Sequence, residues 1–194
     1  MKFPHLAFAL CLVPVGAWAA DANGDFAIKG AGLQTCGALS KAFDASSRDL
    51  ALYGGWLEGY VTGVNQFTEN SFDFTPWQNT QTMLGLLKLA CDQSSAETQI
   101  MVAFNHVLRA LAPGRLTEKS PVEQISDGTR ATVIYSELIT RIQQRLIKLE
   151  HDEVTVTGEI DEPTTQALSA LQKARGIDVT GLPDQATMIA LFLR

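Results

Sequence analysis

The chain has 194 residues, 46% hydrophobic and 19% charged, with a formal net charge of −6. This balance excludes a disordered chain, a collagen-like repeat and a basic nucleic-acid binder. It leaves a mildly acidic globular protein with room for one large domain or two small ones.

Met1 to Ala19 has the parts of an export signal. Lys2 supplies the positive start, Leu6 to Val15 is nearly all apolar, and Ala17-Trp18-Ala19 puts small residues at the cleavage position. The apolar run is well short of the roughly 20 residues a bilayer requires, so cleavage near Ala20 and a periplasmic location are expected, without stable membrane insertion. Loss of Lys2 takes the net charge from −6 to −7, and loss of Cys11 leaves Cys36 and Cys91. An exported pair has one possible connectivity, which predicts a Cys36–Cys91 disulfide. Closing a loop of about 55 residues would stabilise by about 4 kcal/mol.

Residues 20–114 read as a helical domain. Cys36 begins a short helix before Asp44, and a second spans Leu50 to Phe67, where Leu52, Trp56, Tyr60, Val64 and Phe67 form an apolar stripe. Gly55, Gly59 and Gly63 line a neighbouring face. Each costs roughly 1 kcal/mol in a helix interior, so close packing of another backbone is expected there, with a ligand groove as the alternative. Further helices cover Thr80 to Cys91 and Ala96 to Leu111, and Pro113-Gly114 closes the four-helix domain. Phe72, Phe74 and Trp77, in the loop from Thr68 to Gln78, are expected to fold back over this core, with a recognition role as the alternative.

Thr35-Cys36, Tyr53, the run Trp56-Leu57-Glu58-Gly59-Tyr60, Gly63-Val64-Asn65 and Leu89-Ala90-Cys91 together carry a resemblance. Over about 80 residues, this domain resembles the exported helical proteins grouped with the HdeA/HdeB acid-stress chaperones and with immunity proteins of type VI secretion amidase effectors. The resemblance implies a disulfide-stapled, non-enzymatic periplasmic domain that binds another protein. It assigns no individual functional residue.

Residues 115–130, rich in Ser, Thr, Glu, Gly and Pro, read as a linker. In residues 131–194, Ile134, Leu138, Ile142, Leu146 and Leu149 predict an amphipathic helix. An internal repeat follows, in which Gly158, Asp161, Thr164 and Leu168 align with Gly181, Asp184, Thr187 and Leu191. Each glycine permits a turn, each aspartate can accept from free amides three residues on, and each threonine can reach back. Helices are predicted at Glu162 to Arg175 and Gln185 to Leu193. With no cysteine beyond Cys91, this half is expected to unfold independently of the first.

The order Ile142-Gln143, Leu146, Thr157-Gly158, Asp161, Thr164, Ala167-Leu168, Leu171-Gln172, Thr180-Gly181, Asp184, Thr187, Leu191 closely resembles the three-helix peptidoglycan-binding domain found at the ends of many cell-wall hydrolases. Glu162-Pro163 and Leu171 depart from that family's usual turn and its usual phenylalanine. The resemblance implies binding to peptidoglycan and carries no catalytic residue.

The mature chain has only His106 and His151, with no H-E-x-x-H spacing, so no metal or other cofactor is expected. No serine elbow occurs, and a paired cysteine is no nucleophile. Glu58 is the one candidate for a weak muralytic activity, without a partner of known geometry. The sequence therefore predicts an all-α, non-catalytic, periplasmic peptidoglycan-binding protein whose first domain binds a periplasmic protein. An immunity protein or acid-stress chaperone with a scaffold-only second domain is the alternative. Neither nucleic acid nor cofactor is expected as a partner.

Overall fold

The computed structural model describes residues 21 and 23–193, so the expected export signal and its cleavage point lie outside the described residues. Helix α1 (Cys36–Asp44) starts at Thr35, whose hydroxyl accepts the Ala38 N–H at 3.3 Å. Helix α2 runs over Leu50–Phe67. Helix α3 (Thr80–Asp92) starts at Asn79, whose side-chain oxygen accepts the Thr82 N–H at 2.9 Å. These caps satisfy amides that have no partner within the helix.

Helix α4 (Ile100–Leu111) begins later than the expected Ala96. The residues before it serve α1 instead: the Thr98 carbonyl accepts the Cys36 N–H at 2.9 Å and the Ala96 carbonyl accepts the Gly37 N–H at 2.8 Å. Leu39, Leu57, Leu87, Ile100 and Phe104 are fully buried between the four helices. The Cys36–Cys91 disulfide joins the start of α1 to the end of α3 with both residues buried.

Helix α2 buries most deeply a line beside its stripe, while Trp56, Tyr60 and Val64 of the stripe pack part-buried against the same core. Tyr53, Leu57 and Val61 are buried, whereas Leu52 is 69% exposed and Phe67 72%. Two adjacent apolar lines of this helix thus share the core, and the two ends of the stripe lie outside it. Tyr53, Leu57 and Val61 join the core formed with α3 and α4. The short 3-10 turn Gly30–Leu33 covers Trp56, whose indole Nε1 donates to the Lys29 carbonyl at 2.8 Å. Gly32 lies so close to the Trp56 ring that a side chain there would collide with it.

The expected close packing on Gly55, Gly59 and Gly63 is not found, because a Cβ at any of the three would meet nothing within 4 Å. Close approach occurs one residue away, at Gly54, where a Cβ would stand 2.7 Å from Thr80 Cγ2.

The protein is mostly helical but not all-α. Strands β1 (Val122–Ser126) and β2 (Ala131–Tyr135) form an antiparallel hairpin, with Glu123 opposite Ile134 and Ile125 opposite Thr132. Most of the second half of 115–130, expected as linker, is therefore strand and turn. Asp127 closes the turn by accepting the Thr129 and Arg130 amides at 2.8 and 2.7 Å, and these bonds hold its carboxyl far below the ordinary range. Ile134, expected in the following helix, is a buried strand residue because alternation puts it and Ile125 on the inner face. Helices α5 (Ser136–Ile147), α6 (Glu162–Arg175) and α7 (Gln185–Phe192) complete the domain around Leu138, Ile139, Ile142, Leu146, Leu168 and Leu191.

The two halves are in contact, and the aromatic loop makes much of that contact. Phe74 packs on the first core, but Trp77 packs on the second, its ring centroid 6.0 Å from that of Phe192. Phe72 meets Tyr135 edge-on at 5.9 Å. The Tyr135 hydroxyl donates to Asp73 at 3.2 Å, and burial, then the neighbouring Asp73 carboxylate, raise its pKa. Arg141 Nη1 donates to the Gly114 carbonyl at 2.7 Å, and the Asn79 N–H donates to Gln185 Oε1 at 3.2 Å.

Candidate functional site

The repeat in the second domain folds into two equivalent turns, each gripped by a glutamine from the preceding helix. Gln143 on α5 is fully buried. Its Oε1 accepts the N–H groups of Thr157 and Gly158 at 3.0 and 2.9 Å. Its Nε2 faces Thr157 Oγ1, the Glu159 carbonyl and Thr164 Oγ1 at 2.8 to 3.0 Å. Gln172 on α6 repeats the pattern: Oε1 accepts from Thr180 and Gly181, both at 2.8 Å, and Nε2 faces Thr180 Oγ1, the Leu182 carbonyl and Thr187 Oγ1 at 2.7 to 3.0 Å.

The aspartates complete each turn as helix caps. Asp161 Oδ1 accepts the Thr164 N–H at 3.0 Å, and Asp184 Oδ1 accepts that of Thr187 at 2.9 Å. The Thr164 and Thr187 hydroxyls, both fully buried, lie between the aspartate and the glutamine, so each can donate to one and accept from the other. The Thr164 hydroxyl, then its N–H, hold the Asp161 carboxyl below its ordinary value. Gly158 and Gly181 adopt φ of +78° and +67°, which favours glycine. At Gly181 space forbids a side chain as well, since a Cβ would stand 2.9 Å from Thr165 Cγ2.

The six repeat residues Gly158, Asp161, Thr164, Gly181, Asp184 and Thr187 thus shape the turns, and hollows lie beside them. Beside Gly158 is a polar hollow of about 470 Å³, with Thr117, Lys119, Ser120, Glu137 and Thr140 in its wall. Beside the second turn a hollow of about 590 Å³ lies between Arg130–Thr132 and Ile177–Ala186. Segments before α5 form one side of both. Hydroxyls and charges of both signs in the first hollow suit hydrogen bonding to a polar polymer.

Other singled-out residues lie elsewhere. Glu58 accepts a hydrogen bond from Thr80 on the exposed edge between α2 and α3. His106 is exposed on α4, with Nδ1 3.5 Å from Arg109 Nη1. His151 Nδ1 lies 3.5 Å from Glu153 beyond α5. Among the described residues, no three His, Cys, Asp or Glu side chains group as metal ligands. Sequence reasoning placed Gln143 and Gln172 in the helical pattern without assigning them a role. Their shared placement ahead of the two Thr-Gly pairs is the signal that could have done so.

Residues 135–191 match the family model described as "Putative peptidoglycan binding domain". Over these residues the C-terminal domain is similar to the peptidoglycan-binding family. The match takes in α5, α6, both clamped turns and most of α7, and leaves β1 and nearly all of β2 outside it. No curated protein and no solved structure matches the chain.

Proposed function

We propose that this is a non-catalytic periplasmic protein that binds peptidoglycan through its C-terminal domain and a second protein through its N-terminal domain. The observation that carries the wall-binding half is the coincidence of the family match with the two glutamine-clamped turns. Weak contacts at such shallow hollows gain strength on a polymer that offers many copies of the same motif. The resemblance to HdeA/HdeB proteins and type VI amidase immunity proteins supports the protein-binding half, as does the disulfide. In this reading Glu58 is a surface residue without a catalytic part.

Sedimentation of the mature chain with purified cell-wall sacculi tests the first half. The protein should pellet with the sacculi, and muramidase digestion of the wall should return it to the supernatant. A folded protein that stays in the supernatant across a range of salt overturns wall binding. For the second half, a periplasmic extract passed over the immobilised mature chain should yield one partner that residues 20–114 are required to retain. Retention by a chain carrying substitutions across the exposed faces of α1 to α4 would overturn it.

A further inference from the structure

Where the two domains meet, a cleft of about 480 Å³ lies between α3 and α4 on one side and α5 and the end of α7 on the other. Its walls are chiefly apolar: Trp77, Leu86, Leu89, Leu111, Leu138 and Phe192. That volume lies within the roughly 300–1,000 Å³ of small-molecule sites, which favour domain boundaries. Beyond Gly114, Arg141 and Phe192, which belong to both, the cleft continues into a second depression of about 530 Å³ that carries Arg145 and Lys148. Arg145 Nε donates to the Leu191 carbonyl at 2.8 Å, which fixes the guanidinium at this edge.

Charge decides what fits. The chain has 21 acidic residues against 15 basic ones, yet no Asp or Glu lines either depression. Arg141 is paired with Glu137 at 3.3 Å, but neither Arg145 nor Lys148 has a carboxylate within ion-pair distance among the described residues. An apolar cleft that opens onto unpaired cations complements a molecule with a hydrocarbon tail and an anionic head. Guanidinium and ammonium groups side by side suit a phosphate in particular.

We infer that the cleft between the domains binds a single-chain lipid phosphate, its tail against Trp77, Leu89 and Phe192 and its head on Arg145 and Lys148. The site is separate from the wall-binding turns, and its test does not depend on them.

Isothermal titration of the mature protein with dodecyl phosphate, below micelle formation, should give saturable one-to-one binding. Dodecyl maltoside, with the same tail and a neutral head, should bind about tenfold more weakly or worse, and inorganic phosphate alone should give no saturable heat. Lys148→Glu, on an exposed position, should weaken dodecyl phosphate by about fivefold or more and leave dodecyl maltoside unchanged. Leu89 is 55% exposed, so Leu89→Glu should preserve the fold while abolishing binding of both amphiphiles. Equal affinity for the two heads, phosphate binding as tightly as dodecyl phosphate, unchanged affinity in both variants, or no saturable binding would each overturn the inference.

Discussion

Replacing Trp77 with alanine should uncouple the domains before it unfolds either one. Trp77 belongs to a loop of the first domain but is a partly buried member of the second core. Full burial of a Trp would put the cost of truncation at about 3–5 kcal/mol, and partial burial lowers that to about 2–3 kcal/mol. The ring contact with Phe192 lies inside this figure, at about 0.5–1.5 kcal/mol. The first core keeps Phe74, Leu57, Leu87 and Phe104, so the loss falls on the docking and on the second domain. For a chain of this size about 2–3 kcal/mol corresponds to roughly 5–10 °C. Differential scanning calorimetry should show one transition for the native protein. Trp77→Ala should give two, with the lower shifted down by that amount. A single transition within 2 °C of the native one would refute the view that this side chain holds the halves together.

Gln172→Leu keeps the volume of the clamp but strips partners from the Thr180 and Gly181 amides, the Leu182 carbonyl and the Thr187 hydroxyl, and should cost about 3–5 kcal/mol by urea unfolding. The glycines of the first domain should split by sign: Gly59→Ala, facing open space, should stabilise by about 0.5–1 kcal/mol, and Gly32→Ala, facing the Trp56 ring, should destabilise by about 1–3 kcal/mol. The folded Asp161 carboxyl titrates below its unfolded value of 3.8, so its stabilising contribution is complete above about pH 4 and lost as pH falls through the lower folded value. Asp161→Asn should therefore flatten the fall in stability below pH 4, measured by denaturant titration at successive pH values.

The helices of the first domain and the partners of its disulfide were legible because their signals are local: periodicity, a capping residue, and a cysteine count of two. The face that α2 buries was legible only in part, since Trp56, Tyr60 and Val64 reach the core but Leu52 and Phe67 do not. Leu52 and Tyr53 are both apolar, and only the placement of Gly30–Leu33 over Trp56 and of α3 against Gly54 decides which is covered. The hairpin was hidden because neither Val122–Ser126 nor Ala131–Tyr135 alternates apolar with polar residues, although Asp127-Gly128 between them is a hairpin signal. In the second domain the repeat located both turns, because the Asp and Thr caps recur at fixed spacing. The segments that wall the hollows beside them could not be read, since their position depends on how the hairpin folds back on α5. Trp77 had an apolar fate written in its type, but whose core it would join is a long-range matter.

The two clamps are interlocked. Helix α6 begins at the turn that Gln143 holds, and the same helix carries Gln172, which holds the turn that begins α7. The duplicated unit is a turn followed by a helix, but the cooperative unit is a helix with the turn after it, so the two are out of phase. Removal of α7 with its turn would leave on α6 a buried amide stripped of every polar partner, and removal of α5 would leave the start of α6 without its anchor. A single copy of this repeat is therefore not a foldable fragment, and a recombination breakpoint placed at the sequence boundary between copies would damage both neighbours.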